Sequence, residues 1–218
     1  MNQIIKTSDG SDTIFVPELN EHYHSIHGAV QESSYIFINC GFDFCKADPL
    51  NIFEVGFGTG LNALLTAIKC MEGDREVNYT SIEKYPIDEI TVKTLNHYQF
   101  AGESGKEIYN SIHSANWNER VNICRKFNLM KISGDLTSDV IKGNYDLIYF
   151  DAFGPDKQPE MWSKEIFSVL AGVTKINGIF VTYSAKGEVK RNLRACGFEV
   201  TLLPGPPGKR QRIRAVKI

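Results

Sequence analysis

A glycine-rich turn constrains the fold of this chain more than any other feature. Gly56, Gly58 and Gly60 lie between the apolar run Asn51–Val55 and a helical pattern over Leu61–Cys70. Glycine tolerates positive φ and lets a ligand approach the backbone closely, beside the N-terminus of the helix that follows. The order strand, glycine turn, helix therefore predicts an α/β domain that binds a nucleotide-like cofactor, although cofactors of several kinds use such a turn.

Strand and helix patterns continue to alternate after this turn. Strands are predicted at Tyr79–Ile82, Phe127–Ser133, Tyr145–Phe150, Gly178–Tyr183, Phe198–Leu203 and Ile213–Ile218, and helices within Ile87–His97, Glu160–Ala171 and Lys186–Ala195. The last two strands are joined by a Pro- and Gly-rich turn that is too short for a parallel crossover, so they should pair antiparallel. We predict a Rossmann-like doubly wound α/β fold with a mostly parallel sheet and an antiparallel C-terminal strand.

The length of 218 residues fits one main domain. We expect the Rossmann-like domain to occupy residues 49–218, with an inserted loop or helix at 100–122 and an N-terminal extension at 1–48 that packs on the substrate side. No window approaches the roughly 18 apolar residues of a spanning helix, and the polar start lacks the apolar core of a signal peptide. These patterns predict a cytoplasmic protein that does not contact a membrane.

Cysteine and histidine patterns give no sign of a metal site. The five cysteines are scattered and form no Cys-x-x-Cys pair, so we expect reduced, structural thiols. His24 and His27 lack a third ligand in the sequence around them. We therefore expect no bound metal.

Charge is distributed unevenly along the chain. The net charge is −2, yet the segment Lys164–Ile218 carries eleven Lys and Arg residues against three Glu residues. Such asymmetry is found in proteins that bind a polyanion, but it is equally compatible with a basic, solvated surface. Charge alone leaves both interpretations open.

Acidic residues follow the predicted strands at the positions where a cofactor would lie. Glu83 ends the second strand and can accept the ribose hydroxyls of an adenosyl group. Asp135 follows the third strand and can reach the adenine amine. Glu54 precedes the glycines and can hold the ammonium end of a methionine, directly or through water. An acidic first turn suits a cation better than a pyrophosphate, which favours S-adenosylmethionine over NAD.

The fourth strand runs directly into Asp151-Ala152-Phe153-Gly154-Pro155. Ligands of open α/β sheets bind beyond the carboxyl ends of the strands, so Asp151 should lie where a methyl group is transferred. A carboxylate there can orient an amine and accept its proton. Phe153 offers a flat surface for a base or a sulfonium. We therefore assign Asp151 and Phe153 to the catalytic site.

Four segments resemble the methyltransferase half of the MnmC-type tRNA-modifying enzymes and its stand-alone, MnmD-like form. They are Tyr23–Ser33, Glu54–Leu65 (EVGFGTGLNALL), Ser81–Pro86 (SIEKYP) and Tyr149–Trp162 (YFDAFGPDKQPEMW). The last of these is the most specific. A further element, Gly208-Lys209-Arg210, is similar to a basic motif of the family but continues without its usual methionine.

The resemblance implies methylation of 5-aminomethyl-(2-thio)uridine at the tRNA wobble position, with S-adenosylmethionine as cofactor and tRNA as partner. It assigns the donor site to Glu54, Gly56, Gly58, Gly60, Glu83 and Asp135. It also implies substrate contacts by Glu32, Pro155, Lys157, Lys209 and Arg210. The flavin-dependent oxidase half of the bifunctional enzymes has no counterpart here, so the aminomethyl group would have to come from an upstream modifying enzyme.

Three other functions compete with this hypothesis. A small-molecule amine N-methyltransferase would use the same chemistry, and only the basic C-terminal segment argues against it. A cofactor-binding domain without turnover and an NAD-dependent dehydrogenase are further alternatives. Donor binding without product formation would indicate the former, and preferential binding of NADH the latter.

Overall fold

The chain begins with a small antiparallel sheet. The computed structural model describes residues 2–205 and 211–218. Its first strands are β1 (Gln3–Lys6), β2 (Asp12–Val16) and β3 (Glu21–His22), in the order β1-β2-β3. Helix α1 (Ala29–Ser33) follows and continues without a break as a π-helix, Ser34–Phe42. The π-helical part buries Ile36 and Phe37 in the main core.

The rest of the chain alternates between strands and helices. Its elements are β4 (Leu50–Val55), α2 (Leu61–Glu72), β5 (Val77–Glu83), α3 (Glu89–Thr94), α4 (Gly105–Ser114), β6 (Arg120–Cys124), β7 (Phe127–Ser133), β8 (Tyr145–Phe150), α5 (Lys164–Val173), β9 (Thr174–Thr182), α6 (Gly187–Ala195), β10 (Phe198–Pro204) and β11 (Gln211–Lys217). Short 3-10 helices lie at His97–Phe100 and Pro159–Trp162.

The large sheet has the order β10-β11-β9-β8-β4-β5-β7-β6. Strands β9, β8, β4, β5 and β7 pair in parallel, whereas β11 pairs antiparallel with both β9 and β10. The α/β Rossmann-like fold and the reversed C-terminal strand are therefore confirmed. The strand order reverses between β8 and β4, which places the glycine turn and Asp151 side by side.

Apolar side chains alternate between two cores on either side of the sheet. Ile52 and Tyr149 pack against α2, α4 and the π-helix, whereas Phe53 and Phe150 pack against α5 and α6. Each residue of β8 is buried, which is the reason for its apolar sequence.

Three elements differ from the sequence-based prediction. Helix α5 begins at Lys164, later than the predicted Glu160, because Pro159–Trp162 forms a 3-10 helix and Ser163 caps α5 through a hydrogen bond from Ile166 N. Strand β9 begins at Thr174, earlier than predicted, directly after α5. Strand β6, which pairs antiparallel with β7 at the sheet edge, was not predicted, whereas the helix α4 before it lies in the segment expected to be a loop or helix.

Within residues 2–205 and 211–218, no helix is both long and apolar enough to cross a bilayer.

Candidate active site

A cavity of about 470 Å³ opens at the carboxyl ends of the central strands. Its volume is in the range of small-molecule binding sites. The glycine turn, the ends of β5 and β7, and the loop after β8 line it, and the N-terminal segment closes its other side. The lining segments are 21–27, 32–33, 36–37, 55–59, 61–62, 82–85, 134–137 and 151–154, together with Gln158, Glu160, Met161 and Tyr183.

The glycine turn packs directly against the fourth-strand loop. Gly56 has φ +87, and a Cβ atom there would lie 2.8 Å from the carbonyl oxygen of Asp151. Gly58 has φ +50 and contacts the ring of Tyr23. Both glycines line the cavity, whereas Gly60 precedes α2 behind it, with φ +71. The turn therefore requires glycine for its backbone conformation and for its close approach to Asp151.

Glu83 joins the end of β5 to the glycine turn. One of its carboxylate oxygens accepts a hydrogen bond from Gly58 N at 3.0 Å, and the other accepts one from Tyr85 N at 2.9 Å. The side chain lines the cavity. A carboxylate oxygen has more than one acceptor site, so Glu83 retains the capacity to accept ribose hydroxyls.

Asp135 lines the cavity but is held by its neighbours. Its carboxylate pairs with Lys84 Nζ at 2.7 Å and accepts hydrogen bonds from the backbone and hydroxyl of Thr137. The hydrogen bond from Lys84 is the main reason that the pKa of Asp135 is lowered to about 2. The predicted contact of this side chain with the adenine amine stays a prediction.

Glu54 lies outside the cavity lining, fully buried beneath the turn. Ser81 Oγ donates a 2.6 Å hydrogen bond to its Oε2. The predicted contact of Glu54 with the methionine ammonium, directly or through water, stays a prediction. Burial is the main reason that the pKa of Glu54 is raised to about 8.

Asp151 lies on the floor of the cavity, where the fourth strand ends. Its Oδ2 accepts a 2.8 Å hydrogen bond from Asn62 Nδ2, in the first turn of α2. Burial raises the pKa of Asp151 to about 7, the hydrogen bond from Asn62 opposes this shift, and the charge of Glu32 adds to it. A carboxyl with this pKa can exchange a proton near neutral pH.

The long motif after Asp151 holds Phe153 in place. Gln158 Oε1 accepts a 3.1 Å hydrogen bond from Phe153 N, and Trp162 Nε1 donates a 2.8 Å hydrogen bond to Phe153 O. The Phe153 ring meets the ring of Tyr23 edge-on, with 5.0 Å between centroids. Phe153 therefore forms an aromatic wall of the cavity together with the N-terminal segment.

Two other residues of this motif do not line the cavity. Pro155 and Lys157 lie in the turn beyond Gly154, where Lys157 N donates a 2.7 Å hydrogen bond to Gly154 O. The structure thus brings Asp151 and Phe153 together at the cavity, and it places Pro155 and Lys157 next to it.

Glu32 lines the cavity and is paired with a residue from the last strand. Arg212 Nη2 lies 2.9 Å from Glu32 Oε1, and the backbone N–H of Ser25 donates to Oε2 at 3.1 Å. Arg212 is 6% exposed and also donates to Tyr183 O. A contact of Glu32 with the substrate amine must therefore compete with this ion pair. Lys209 and Arg210 lie outside the described residues.

His24 and His97 form a pair of neutral imidazoles beside the cavity. His24 lines the cavity, and burial lowers its pKa to about 4. Its ring meets His97 edge-on, and His97 Nε2 lies 3.1 Å from Thr59 Oγ1 in the glycine turn. The described part of the chain contains no group of three side chains suited to hold a metal ion.

The sequence analysis missed two residues of the site. Asn62 is a buried amide beside the apolar face of α2, and Arg212 is a buried cation in the last strand. A polar residue at the start of an apolar helix was the available signal for Asn62. Arg212 could not have been found, because its partner Glu32 is 180 positions away in the chain.

Fold and cavity together define a class I methyltransferase. Residues 101–218 match a family model described as S-adenosyl-L-methionine-dependent methyltransferase. The chain belongs to this family, and its cofactor is S-adenosylmethionine. The cavity fits this cofactor, since Glu83 lies beside the glycine turn and the volume suits a nucleoside-sized ligand.

Several proteins of known sequence or structure are similar along nearly the whole chain. The tRNA 5-methylaminomethyl-2-thiouridine biosynthesis bifunctional protein MnmC of Campylobacter hominis is 30% identical over 216 residues, which are 93% of this chain and 31% of that protein. The corresponding protein of Actinobacillus pleuropneumoniae is 29% identical over 94% of this chain and 34% of its own length. The chain thus spans about a third of these relatives.

The solved structures support the same family. The crystal structure of MNMC2 from Aquifex aeolicus superposes with a TM-score of 0.82 at 25% identity, covering all of this chain and 70% of that one. Spermidine synthase from Thermotoga maritima, at 12% identity and a TM-score of 0.57, shares the fold alone. The predicted resemblance to the methyltransferase half of MnmC-type enzymes is confirmed.

Proposed function

We propose that the protein methylates the amine of 5-aminomethyl-(2-thio)uridine at the wobble position of tRNA, yielding the methylaminomethyl nucleoside. The observation that carries this proposal is Asp151, a carboxylate on the cavity floor with a pKa of about 7, within the motif shared with MnmC-type enzymes. The names of the MnmC relatives support the choice of substrate.

The chemistry requires a free amine lone pair. S-adenosylmethionine supplies an electrophilic methyl carbon on a sulfonium, which leaves as a neutral thioether. An alkylammonium has a pKa of about 10 and is protonated at neutral pH. Asp151 accepts a proton from the ammonium before attack, and its hydrogen bond then orients the free lone pair toward the methyl carbon. The nitrogen–carbon bond forms as the carbon–sulfur bond breaks, which leaves the product as a methylammonium. Asn62 holds Asp151 for this task.

The N-terminal segment supplies the substrate side of the cavity. We assign residues 1–48 to an extension that covers the Rossmann-like domain 49–218, and residues 100–122 to an insertion in that domain. Tyr23 and Phe153 present two aromatic rings to the cavity, and aromatic rings stack on unpaired bases in RNA recognition. Glu32 lies on the same side. These groups support binding of a uridine turned out of the anticodon loop.

Basic residues on and beside α6 support binding of a polyanion. Lys186, just before α6, forms an ion pair with Asp156 of the fourth-strand loop. Arg191 and Arg194 on α6 are exposed. We assign phosphate contacts to this helix and to Lys209 and Arg210, which predicts tRNA affinity that falls steeply with salt. Such a substrate places the enzyme in the cytoplasm, after an enzyme that installs the aminomethyl group.

The decisive experiment supplies purified protein with S-adenosylmethionine and tRNA that carries the aminomethyl group. Mass spectrometry of digested nucleosides should show conversion to the methylaminomethyl form. The Asp151→Asn variant and tRNA with an unmodified wobble uridine are the matched controls. No product under saturating conditions would reject the proposal. Turnover of free amines that tRNA does not inhibit would instead support the small-molecule alternative.

A further inference from the structure

Lys131 is a buried cation that the proposed function does not use. It lies in β7, is 1% exposed and is not among the residues that line the cavity. In the part of the chain that the structure describes, no carboxylate forms an ion pair with it. A buried charge without an acidic partner is costly, so other groups must compensate it.

The first compensating group is the C-terminal end of α4. Lys131 Nζ donates hydrogen bonds to the carbonyl oxygens of Ile112 at 2.8 Å and of His113 at 3.0 Å. Helix α4 ends at Ser114, so these carbonyls lie in its last turn, where no backbone N–H of the helix remains to pair with them. They also carry the negative end of the helix dipole. Lys131 therefore ties the end of α4 to β7.

Two aromatic rings surround the same ammonium group. Lys131 Nζ lies 5.0 Å from the ring centroid of Trp117 and 5.5 Å from that of Phe57. A cation within about 6 Å of a ring centroid is attracted to the ring, more strongly where water is excluded. Phe57 belongs to the glycine turn, is 5% exposed and lines the cavity. Lys131 is thus connected to the cofactor site through the ring of Phe57.

The glycine turn packs tightly on the residues that Lys131 holds. The ring of Phe57 meets the rings of His113 and Trp117 edge-on, with centroids 5.8 Å and 5.7 Å apart. A Cβ atom at Gly60 would lie 3.0 Å from His113 Nε2 and 3.1 Å from Phe57 Cζ. A displacement of the end of α4 or of Phe57 would therefore be transmitted to the turn.

We infer that Lys131 is a positioning residue for the cofactor site, whose ammonium group fixes the end of α4 and the ring of Phe57 and so holds the glycine turn in the conformation that receives S-adenosylmethionine. The titratable side chain beside it is His113, and burial together with the charge of Lys131 lowers the pKa of His113 to about 4. At neutral pH Lys131 therefore supplies the positive charge of this cluster. The inference concerns the cofactor, so it does not depend on the identity of the methyl acceptor.

A double-mutant cycle on cofactor affinity tests this role. Lys131→Met keeps the apolar stem but removes the charge and the hydrogen-bond donors, and Phe57→Leu removes the ring. We expect each variant to bind S-adenosylhomocysteine roughly 10-fold more weakly, and the double variant to bind about as weakly as the worse of the two, because both changes interrupt the same series of contacts. Calorimetric titration measures the affinities, and circular dichroism verifies that each variant is folded.

Lys126→Met is the matched control. It removes a solvent-accessible ion pair with Asp74 just before β7 and should bind the ligand normally. An unchanged affinity in Lys131→Met, or losses that add up in the double variant, would overturn the inference.

The wild-type protein provides a second test that does not require a variant to fold. Burial lowers the pKa of Lys131 to about 8, a range that NMR titration of its isotope-labelled ε-carbon can follow. If the ammonium form favours the turn that binds the cofactor, the bound cofactor must in return favour the ammonium form. A tenfold difference in affinity corresponds to a rise of about one pH unit in the pKa of Lys131 when S-adenosylhomocysteine binds. A pKa that is the same with and without the ligand would contradict the positioning role.

Discussion

The amide of Asn62 and the carboxylate of Asp151 are joined by a hydrogen bond of 2.8 Å across 89 positions of the chain. Asn62 lies in the first turn of α2, after the glycine turn, and Asp151 follows β8. Gly56 of the glycine turn leaves no room for a Cβ atom, which would lie 2.8 Å from the carbonyl oxygen of Asp151. The element that shapes the cofactor site therefore also fixes the proposed acid–base group, so a change in one should affect the other.

Replacing Asp151 should separate catalysis from cofactor binding. The Asp151→Asn variant keeps the shape of the side chain but cannot take up the amine proton. We expect kcat to fall by about 10²- to 10⁴-fold, with affinity for S-adenosylhomocysteine nearly unchanged. Nucleoside mass spectrometry and calorimetry measure the two quantities. Asp156→Asn, an exposed carboxylate in the same loop, is the control, and a normal rate in Asp151→Asn would remove Asp151 from the mechanism.

The rate should depend on pH through Asp151. Burial raises its pKa to about 7, and the deprotonated form is the one that accepts the amine proton. Turnover should therefore fall as pH decreases below 7, by about tenfold per pH unit. Asn62→Leu removes a hydrogen bond that lowers this pKa, so the acidic limb should move to higher pH. A limb that stays in place in Asn62→Leu would contradict the assignment.

The free energy of unfolding should also depend on the ionisation of Asp151. The pKa of Asp151 is about 7 in the folded chain and 3.8 without the fold's influence, so the folded state binds the proton more tightly. This contribution to the free energy of unfolding is complete below pH 3.8 and is lost as pH rises through 7. The urea midpoint of Asp151→Asn, relative to the wild type, should therefore rise between pH 5 and pH 8. A difference independent of pH would show that Asp151 is not perturbed.

Alanine substitutions at three glycines should change the stability of the protein by different amounts. At Gly56 the methyl group meets the Asp151 backbone at 2.8 Å with φ +87, so we expect a loss on the order of 3 kcal/mol or more and no turnover. Gly102 has φ +69 and open space, so backbone strain alone should cost about 1 kcal/mol. Gly172 in α5 has neither a positive φ nor an atom that a methyl group would meet, so alanine there should stabilise the helix by about 0.5 kcal/mol. Thermal unfolding measures all three, and equal effects would contradict the geometry.

The ion pair between Glu32 and Arg212 should be strongly coupled. The two side chains are 15% and 7% exposed. Arg212→Leu should destabilise the protein by about 2 kcal/mol, because Glu32 loses its ion pair with Arg212. The double variant Glu32→Gln/Arg212→Leu should recover part of that loss. Lys93→Ala breaks the exposed pair with Glu89 and should leave the stability nearly unchanged. Additive losses in the double variant would contradict the coupling.

Most of the fold was predictable because the spacing of apolar residues and the turn residues between the runs indicate the same strands and helices. Phe127–Ser133 and Tyr145–Phe150 have the predicted bounds, and the short turn before β11 correctly indicated antiparallel pairing. The start of α5 was wrong because Glu160 and Met161 fit a helical pattern, although Ser163 provides the actual cap. Local pattern cannot distinguish a 3-10 helix from the first turn of an α-helix.

The site was predictable only where residues follow strands of the sheet. Glu83 and Asp151 were placed at the cavity because the carboxyl ends of parallel strands meet there. Glu54 lies at the end of β4 as well, yet it is fully buried, bonds to Ser81 and is not among the residues that line the cavity. Contacts between distant segments, such as Glu32 with Arg212, depend on packing that no local pattern encodes.

The contact between Glu32 and Arg212 also sets an order of events during synthesis. One wall of the cavity contains Glu32, which is stabilised by a strand translated 180 positions later. A ribosome-bound chain therefore lacks a finished substrate side until β11 has left the exit tunnel. The central strands can pair before this wall is complete.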